Sequence, residues 1–202
     1  MNNDLIGLCR QGLDNNGFFV LKNVLSQDLL NYILAMSDLE KQLEKDNLIF
    51  SEKDSAVSEK SNVPGDSEYE YGSIKSDSLF YILTDIYRNV SNRNLVPSFS
   101  FYRTYYEGSS LEKHKDRPSC QYAITTQVGS YENKTWDIHI TDLYGNDHTV
   151  TLNPGDVLFY RGEICPHWRN PLENKWSSHF FLFWIDKDQP EYTQYELDDR
   201  KK

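Results

Sequence analysis

From Pro97 onward the chain breaks into short runs rich in aromatic and β-branched residues, each closed by a turn signal. This punctuation limits the fold more than any other feature. The runs are residues 98–106, 121–128, 136–140, 148–152, 157–160 and 179–185. Between them stand Glu107-Gly108, Gly129-Ser130, Tyr144-Gly145-Asn146-Asp147, Asn153-Pro154-Gly155-Asp156 and Asn170-Pro171. These residue types tolerate positive φ, fix φ or bond their own backbone. Many short strands with regular turns predict a sandwich or jelly roll. The fourteen tyrosines suit a β-rich core and a pocket with polar tips, although a tyrosine-rich strand surface would read the same.

The first third reads as helix, strand, helix. Residues 5–13 carry amphipathic spacing, Asn15-Asn16-Gly17 is a turn, and Phe18-Phe19-Val20-Leu21 is a short buried strand. Ser26 stands as an N-cap before a helical pattern from Leu29 to Met36 that continues weakly to Leu43. Residues 51–75 are polar and charged around Pro64-Gly65, which predicts a long loop, either a lid or disordered. Helical spacing returns over residues 76–90, and the charged tail after Asp186 reads as solvated. A chain of 202 residues holds one sizeable core. The expected organisation is therefore one domain, 1–202: N-terminal support over 1–50, a polar loop or lid over 51–75, a jelly-roll core over 97–186 and a tail over 187–202.

The formal charge of -10 provides no basic footprint for phosphates, so no nucleic-acid partner is expected. No stretch reaches the roughly 18 apolar residues of a membrane span, and the N-terminus has no basic start or apolar h-region. Cys9, Cys120 and Cys165 are scattered, with no Cys-x-x-Cys pair, and a cytoplasmic setting is expected. Oligomeric state is not legible, because strand edges cannot be assigned.

The chemistry lies in His114-Lys115-Asp116 and in the later His167. On an extended segment residues i and i+2 point the same way, so His114 and Asp116 can reach one metal while Lys115 points away. His167 follows the Pro154-Gly155-Asp156 turn and the strand it feeds. In a double-stranded β-helix it would return beside the early pair. Two imidazoles and one carboxylate cap one face of an octahedral metal and leave the other open, the facial triad of non-haem Fe(II) oxygenases. His139 and His148 read as surface residues, and neither Cys120 nor Cys165 has a partner pattern for a nucleophile.

The chain resembles the 2-oxoglutarate and Fe(II)-dependent dioxygenases, on the prolyl-hydroxylase and phytanoyl-hydroxylase side. The likeness is carried by Arg103-Thr104-Tyr105-Tyr106-Glu107-Gly108, His114-Lys115-Asp116-Arg117-Pro118-Ser119-Cys120, Pro154-Gly155-Asp156 and Pro166-His167-Trp168-Arg169, with Gly17–Leu25 as the first strand. It implies a mainly β fold with flanking helices, a cupin-like double-stranded β-helix with the N-terminal helices packed on the sheet. It implies His114, Asp116 and His167 as iron ligands, Fe(II) as the metal, 2-oxoglutarate and O2 as co-substrates, and ascorbate as a further candidate cofactor. Because Asp116 is present, hydroxylation is expected rather than halogenation.

The distal carboxylate of 2-oxoglutarate needs a cation, and the resemblance points to Lys175, with Tyr105 as a co-substrate contact. Arg103 is a rival. It shares a strand face with Tyr105, and a buried guanidinium needs an anion, either a bidentately held carboxylate or an internal Asp or Glu. Arg117, Arg169 and His179 rank behind them. The expected substrate is a small molecule or a peptidyl group, with a cationic or neutral one favoured by the acidic 51–75 segment and with Tyr69 and Tyr71 as contacts. The alternatives are a non-catalytic metal-binding jelly roll and a cupin-type site without 2-oxoglutarate.

Overall fold

The computed structural model describes residues 3–46, 48 and 63–197. Three helices come from the N-terminal half: α1 (Asn3–Asn16), α2 (Gln27–Lys45) and α3 (Ile74–Ser91). The strands are β1 (Phe18–Leu21), β2 (Ser67–Tyr71), β3 (Leu95–Tyr106), β4 (Leu111–His114), β5 (Tyr122–Ser130), β6 (Ile138–Thr141), β7 (Asp147–Val150), β8 (Val157–Tyr160), β9 (His167–Arg169) and β10 (Trp176–Asp186). They form two antiparallel sheets, one ordered β1-β8-β5-β10-β3-β2 and a smaller one ordered β4-β9-β6-β7. This is the expected jelly roll with helices on one sheet.

The large sheet is covered on both faces, so residues of both parities are buried along its central strands. Every residue of β5, and all of β10 beyond Trp176, is buried. Phe180, Leu182 and Trp184 face the helices, together with Leu30, Ile33, Leu83 and Val90. Phe181 and Phe183 face inward, in one cluster with Phe99, Tyr105, Ile138 and Ile140 of the two sheets. Two polar contacts fix α3 to the sheet. The Trp184 indole donates to Thr84 Oγ1 at 2.9 Å, and the Tyr87 hydroxyl donates to the Tyr160 carbonyl at 2.8 Å.

The Ser26 hydroxyl accepts from the Leu29 N–H, the N-cap predicted for α2. The Pro154-Gly155-Asp156 turn joins that helix to β8. The Gly155 carbonyl accepts from Val24 and Leu25, and the buried Asp156 carboxylate accepts from the N–H groups of Asn23 and Asn153 and from Lys22. Gly155 has φ +90, and a Cβ there would lie 2.3 Å from the Leu25 carbonyl oxygen. Gly155→Ala is expected to cost about 3 kcal/mol of stability through positive-φ strain and overlap with backbone. Chemical denaturation would show it as a lower midpoint at unchanged slope.

One expectation fails. Residues 63–75 are not all loop: they contain β2, which pairs with β3, and the start of α3. The signal was hidden because Ser-Glu-Tyr-Glu-Tyr alternates on an edge strand with little apolar content. The reading of 51–62 as loop or lid lies outside the described residues. The tail, read as solvated, has no buried residue over its 3-10 helix Pro190–Tyr195, where the Tyr192 hydroxyl donates to Glu163. No described helix is long and apolar enough to cross a membrane.

Candidate metal centre and its cavity

β4 and β9 are neighbours in the small sheet, and their register sets His114 directly opposite His167. Their ring centroids are 4.4 Å apart. Asp116 lies just past the end of β4, and its N–H donates to the Gly162 carbonyl at 3.0 Å. Asp116 Oδ1 is then 3.4 Å from His114 Nε2 and 3.6 Å from His167 Nε2. One ligand atom from each of the three residues lies within 4.8 Å of the others. With metal–ligand bonds of about 2.1 Å, adjacent ligands of an octahedral ion sit about 3 Å apart. The carboxylate-to-imidazole separations are already close to that.

The surrounding hydrogen bonds prepare these atoms for a cation. His114 Nδ1 donates to the Glu112 carbonyl at 2.7 Å, and His167 Nδ1 to the Cys165 carbonyl at 3.0 Å. Each bond selects the tautomer whose Nε2 lone pair faces Asp116. Asp116 Oδ2 is buried and has no hydrogen-bond partner among the described residues. A buried carboxylate oxygen without a donor is costly, and a metal ion would satisfy it. The three residues therefore fit a divalent ion of the Fe(II) class. Burial pulls the His114 pKa down, but the bonds to Asp116 and the Glu112 carbonyl overcome it and leave the value raised. Burial lowers the His167 pKa despite the Asp116 charge.

Gly162 was not recognised from sequence. A Cβ there would sit 2.3 Å from Asp116 Oδ2 and 2.5 Å from the Cys120 carbonyl. Only a tertiary contact reveals this, because the Arg161-Gly162 dipeptide looks like any other turn. Gly162→Ala is expected to displace the carboxylate and to weaken divalent-metal affinity about 10- to 100-fold, the range for residues that hold ligands in place. Calorimetric titration with Co(II) would measure it.

The triad opens on a cavity of about 700 Å³, which Tyr105, Arg103 and Arg117 also line. Tyr69 and Tyr71 of β2 line it as well. The two other proposed co-substrate contacts lie elsewhere. Lys175 is exposed on the β9–β10 connection, where its ammonium lies 4.3 Å from the Tyr131 ring centroid and 3.2 Å from that hydroxyl. It is not among the residues that line the cavity, because its side chain is turned onto Tyr131. His179 does face inward but is fully buried beneath the cavity. Burial, reinforced by the Arg169 charge, pushes its pKa well down and keeps it neutral. Its Nε2 bonds Ser177 Oγ at 2.8 Å and its Nδ1 faces Arg169 Nη2 at 3.5 Å.

Arg169 proves more informative than its rank in the sequence suggested. It is two residues beyond His167 on β9 and is 1% exposed. Its guanidinium donates to the Trp136 carbonyl and lies 4.8 Å from the Trp136 ring centroid. Its Nε has no partner, and no carboxylate among the described residues pairs with it. Burial lowers its pKa to about 10. Tyr105 packs edge-on against Trp136 and His179, so it stands between the cavity and this cation. His139 stacks on Trp168, and His148 is exposed and bonded to Asp142. Burial raises the Cys120 thiol pKa and pushes that of Cys165 up to about 11, which leaves both unreactive.

No family model matches the sequence, and no curated protein matches it. Solved structures do. A prolyl hydroxylase from Trichoplax adhaerens, in complex with a hypoxia inducible factor peptide fragment, superposes with a TM-score of 0.70 at 14% identity, over 94% of this chain and 93% of that one. A Pseudomonas putida prolyl-4-hydroxylase gives 0.64 at 12%, over 88% and 97%. HygX from Streptomyces hygroscopicus, with nickel, 2-oxoglutarate and hygromycin B bound, gives 0.65 at 13%, over 93% and 88%. The jelly roll and its placement of two histidines and an aspartate define the chain as having the fold of the 2-oxoglutarate/Fe(II) oxygenases. These structures hold different molecules, from a hypoxia inducible factor peptide fragment to hygromycin B, so the fold leaves the substrate open.

Proposed function

We propose that the protein is an Fe(II)- and 2-oxoglutarate-dependent oxygenase that hydroxylates a C–H bond of a small molecule. The reading is carried by the convergence of His114 Nε2, Asp116 Oδ1 and His167 Nε2 on one point of the cavity wall, with a buried cation two residues beyond His167 that has no counter-ion among the described residues. His114, Asp116 and His167 would hold the metal. When bound, the metal with 2-oxoglutarate supplies the oxidising chemistry, releasing succinate and CO2.

The protein's own share is orientation and exclusion of water. The Glu112 and Cys165 carbonyls fix the two imidazole tautomers. Arg169, which lies behind Tyr105 and not on the cavity lining, would receive the distal carboxylate of 2-oxoglutarate once the Tyr105 ring turns aside, with the Tyr105 hydroxyl beside it. Residues two apart on a strand lie about 7 Å apart on one face, a span suited to a five-carbon diacid anchored next to His167. Arg103 is the weaker candidate for this role because its guanidinium is turned toward Tyr69 on β2, at the far edge of the large sheet. Neutral His179 holds Arg169 from behind. The aromatic walls keep solvent from the reacting face.

Anaerobic titration of the apoprotein with Fe(II), then 2-oxoglutarate, tests this. A weak visible charge-transfer band that needs both additions is the expected result, followed by succinate formation in air. Metal binding with no band and no succinate would reject the oxygenase in favour of a jelly roll that only binds metal.

A further inference from the structure

The cavity wall opposite the triad is a continuous aromatic surface contributed by β2, β3 and β10. Phe99 stacks on Phe183 at 4.5 Å, Phe101 on Phe181 at 4.6 Å, and Tyr71 packs against Phe101 at 5.4 Å. Period-2 alternation on paired strands produces it, since Phe99, Phe101 and Arg103 share one face of β3. Arg103 lies on this surface, its guanidinium carbon 4.9 Å from the Tyr69 centroid and 5.5 Å from that of Tyr105. Its Nε is buried without a hydrogen-bond partner, and no carboxylate among the described residues pairs with it. Arg117 lies over Phe99 on the same wall, 4.6 Å from the centroid. Asp66 is the one carboxylate besides Asp116 among the described lining residues.

A chain with 31 acidic and 21 basic residues thus puts a partly buried guanidinium, with no carboxylate partner among the described residues, on the wall of the cavity beside the triad. Stacking on aromatic rings holds the guanidinium plane and leaves its N–H groups for an acceptor. Leaving a buried N–H unsatisfied costs about 1–3 kcal/mol, so the site is built to be completed from outside. Resting on the oxygenase reading above, we propose that the substrate is a small molecule with a flat apolar body and an oxyanion, the body lying on the Phe99–Phe101–Phe181–Phe183 wall and the oxyanion held by Arg103. This replaces the cationic or neutral substrate expected from the acidic 51–75 segment. Of the acidic residues in that segment among the described residues, Asp66 is on the lining, and Arg103 and Arg117 are on it as well.

The probes are 2-naphthoate, 2-naphthyl phosphate and 2-naphthamide, which share a body and differ in charge. Binding is followed by quenching of intrinsic fluorescence, with Fe(II) and 2-oxoglutarate present anaerobically and again without either. The wild type is expected to bind an anionic probe at least ten-fold more tightly than the amide. The tighter of the two anions identifies the oxyanion as carboxylate or phosphate. Arg103→Gln should remove the preference, leaving amide affinity and the 2-oxoglutarate charge-transfer titration unchanged. Arg103→Lys, which keeps the charge but not the fork, should retain part of it. Equal binding of all three probes by wild type overturns the proposal, as does an anion preference that survives Arg103→Gln. Loss of 2-oxoglutarate affinity in Arg103→Gln also overturns it, by moving Arg103 to the co-substrate. Failure of the oxygenase reading appears separately, as absence of the charge-transfer band in wild type, while the anion preference is still measured without metal.

Discussion

Replacing Asp116 by alanine is expected to lower divalent-metal affinity by at least about a hundred-fold and to abolish the charge-transfer band. Residues that only orient metal ligands are worth 10–100-fold, and Asp116 carries the one anionic donor of the set. Calorimetry with Co(II) and the anaerobic Fe(II) titration would measure the two effects. The stability of the apoprotein separates this role from a structural one. Asp116 Oδ2 is buried without a donor, so truncation relieves an unpaired group, and the apoprotein is expected to melt no lower than wild type. A structural carboxylate would instead lower the melting temperature with or without metal.

The same site fixes a pH dependence. Metal binding requires neutral imidazoles. His167 is lowered below the ordinary histidine value and does not compete near neutrality, whereas His114 is raised and does. Affinity should therefore fall as pH drops through a value above about 6.5, losing ten-fold per unit with one proton released per ion bound. In the Asp116→Asn variant the raising contact is weakened, so the midpoint should move down. Titration at a series of pH values decides it, and a midpoint below the ordinary histidine value would contradict the geometry.

Arg169→Leu is the second large effect. Removing one partner of a buried charge pair costs about 2–5 kcal/mol, so 2-oxoglutarate affinity is expected to fall roughly a hundred-fold or more. Metal affinity should stay near wild type. The free protein should lose little stability, because the substitution deletes a buried charge that no described carboxylate compensates. Against that stands the bond to the Trp136 carbonyl, which leucine cannot make. A large loss of melting temperature with unchanged 2-oxoglutarate titration would make Arg169 a structural cation. Lys175→Ala provides the contrast: an exposed lysine on Tyr131 should leave the titration unchanged.

The chain's local patterns carried much of this. Ser26 ahead of an apolar helical stripe, Phe18–Leu21 between turn residues, and the punctuated runs after Pro97 are all short-range signals, and the elements lie where those signals place them. β2 and β4 escaped because an edge strand of alternating charge and tyrosine, and a four-residue strand ending in a candidate ligand, carry no apolar periodicity. The two halves of the triad could be named from residue type, since imidazole and carboxylate chemistry is intrinsic to the side chains. Their meeting depends on the β4–β9 register, which is set by pairing between distant segments.

The punctuated strand runs after Pro97, the turn chemistry and the donor types are properties of neighbouring residues, and the sequence alone determined them. Which cation faces inward was a tertiary decision. Resemblance and strand parity put Lys175 and Arg103 ahead of Arg117 and Arg169, but neither says which of them is buried. Burial without a counter-ion among the described residues selects Arg169 and Arg103, and burial exists only once the two sheets have closed over the cavity.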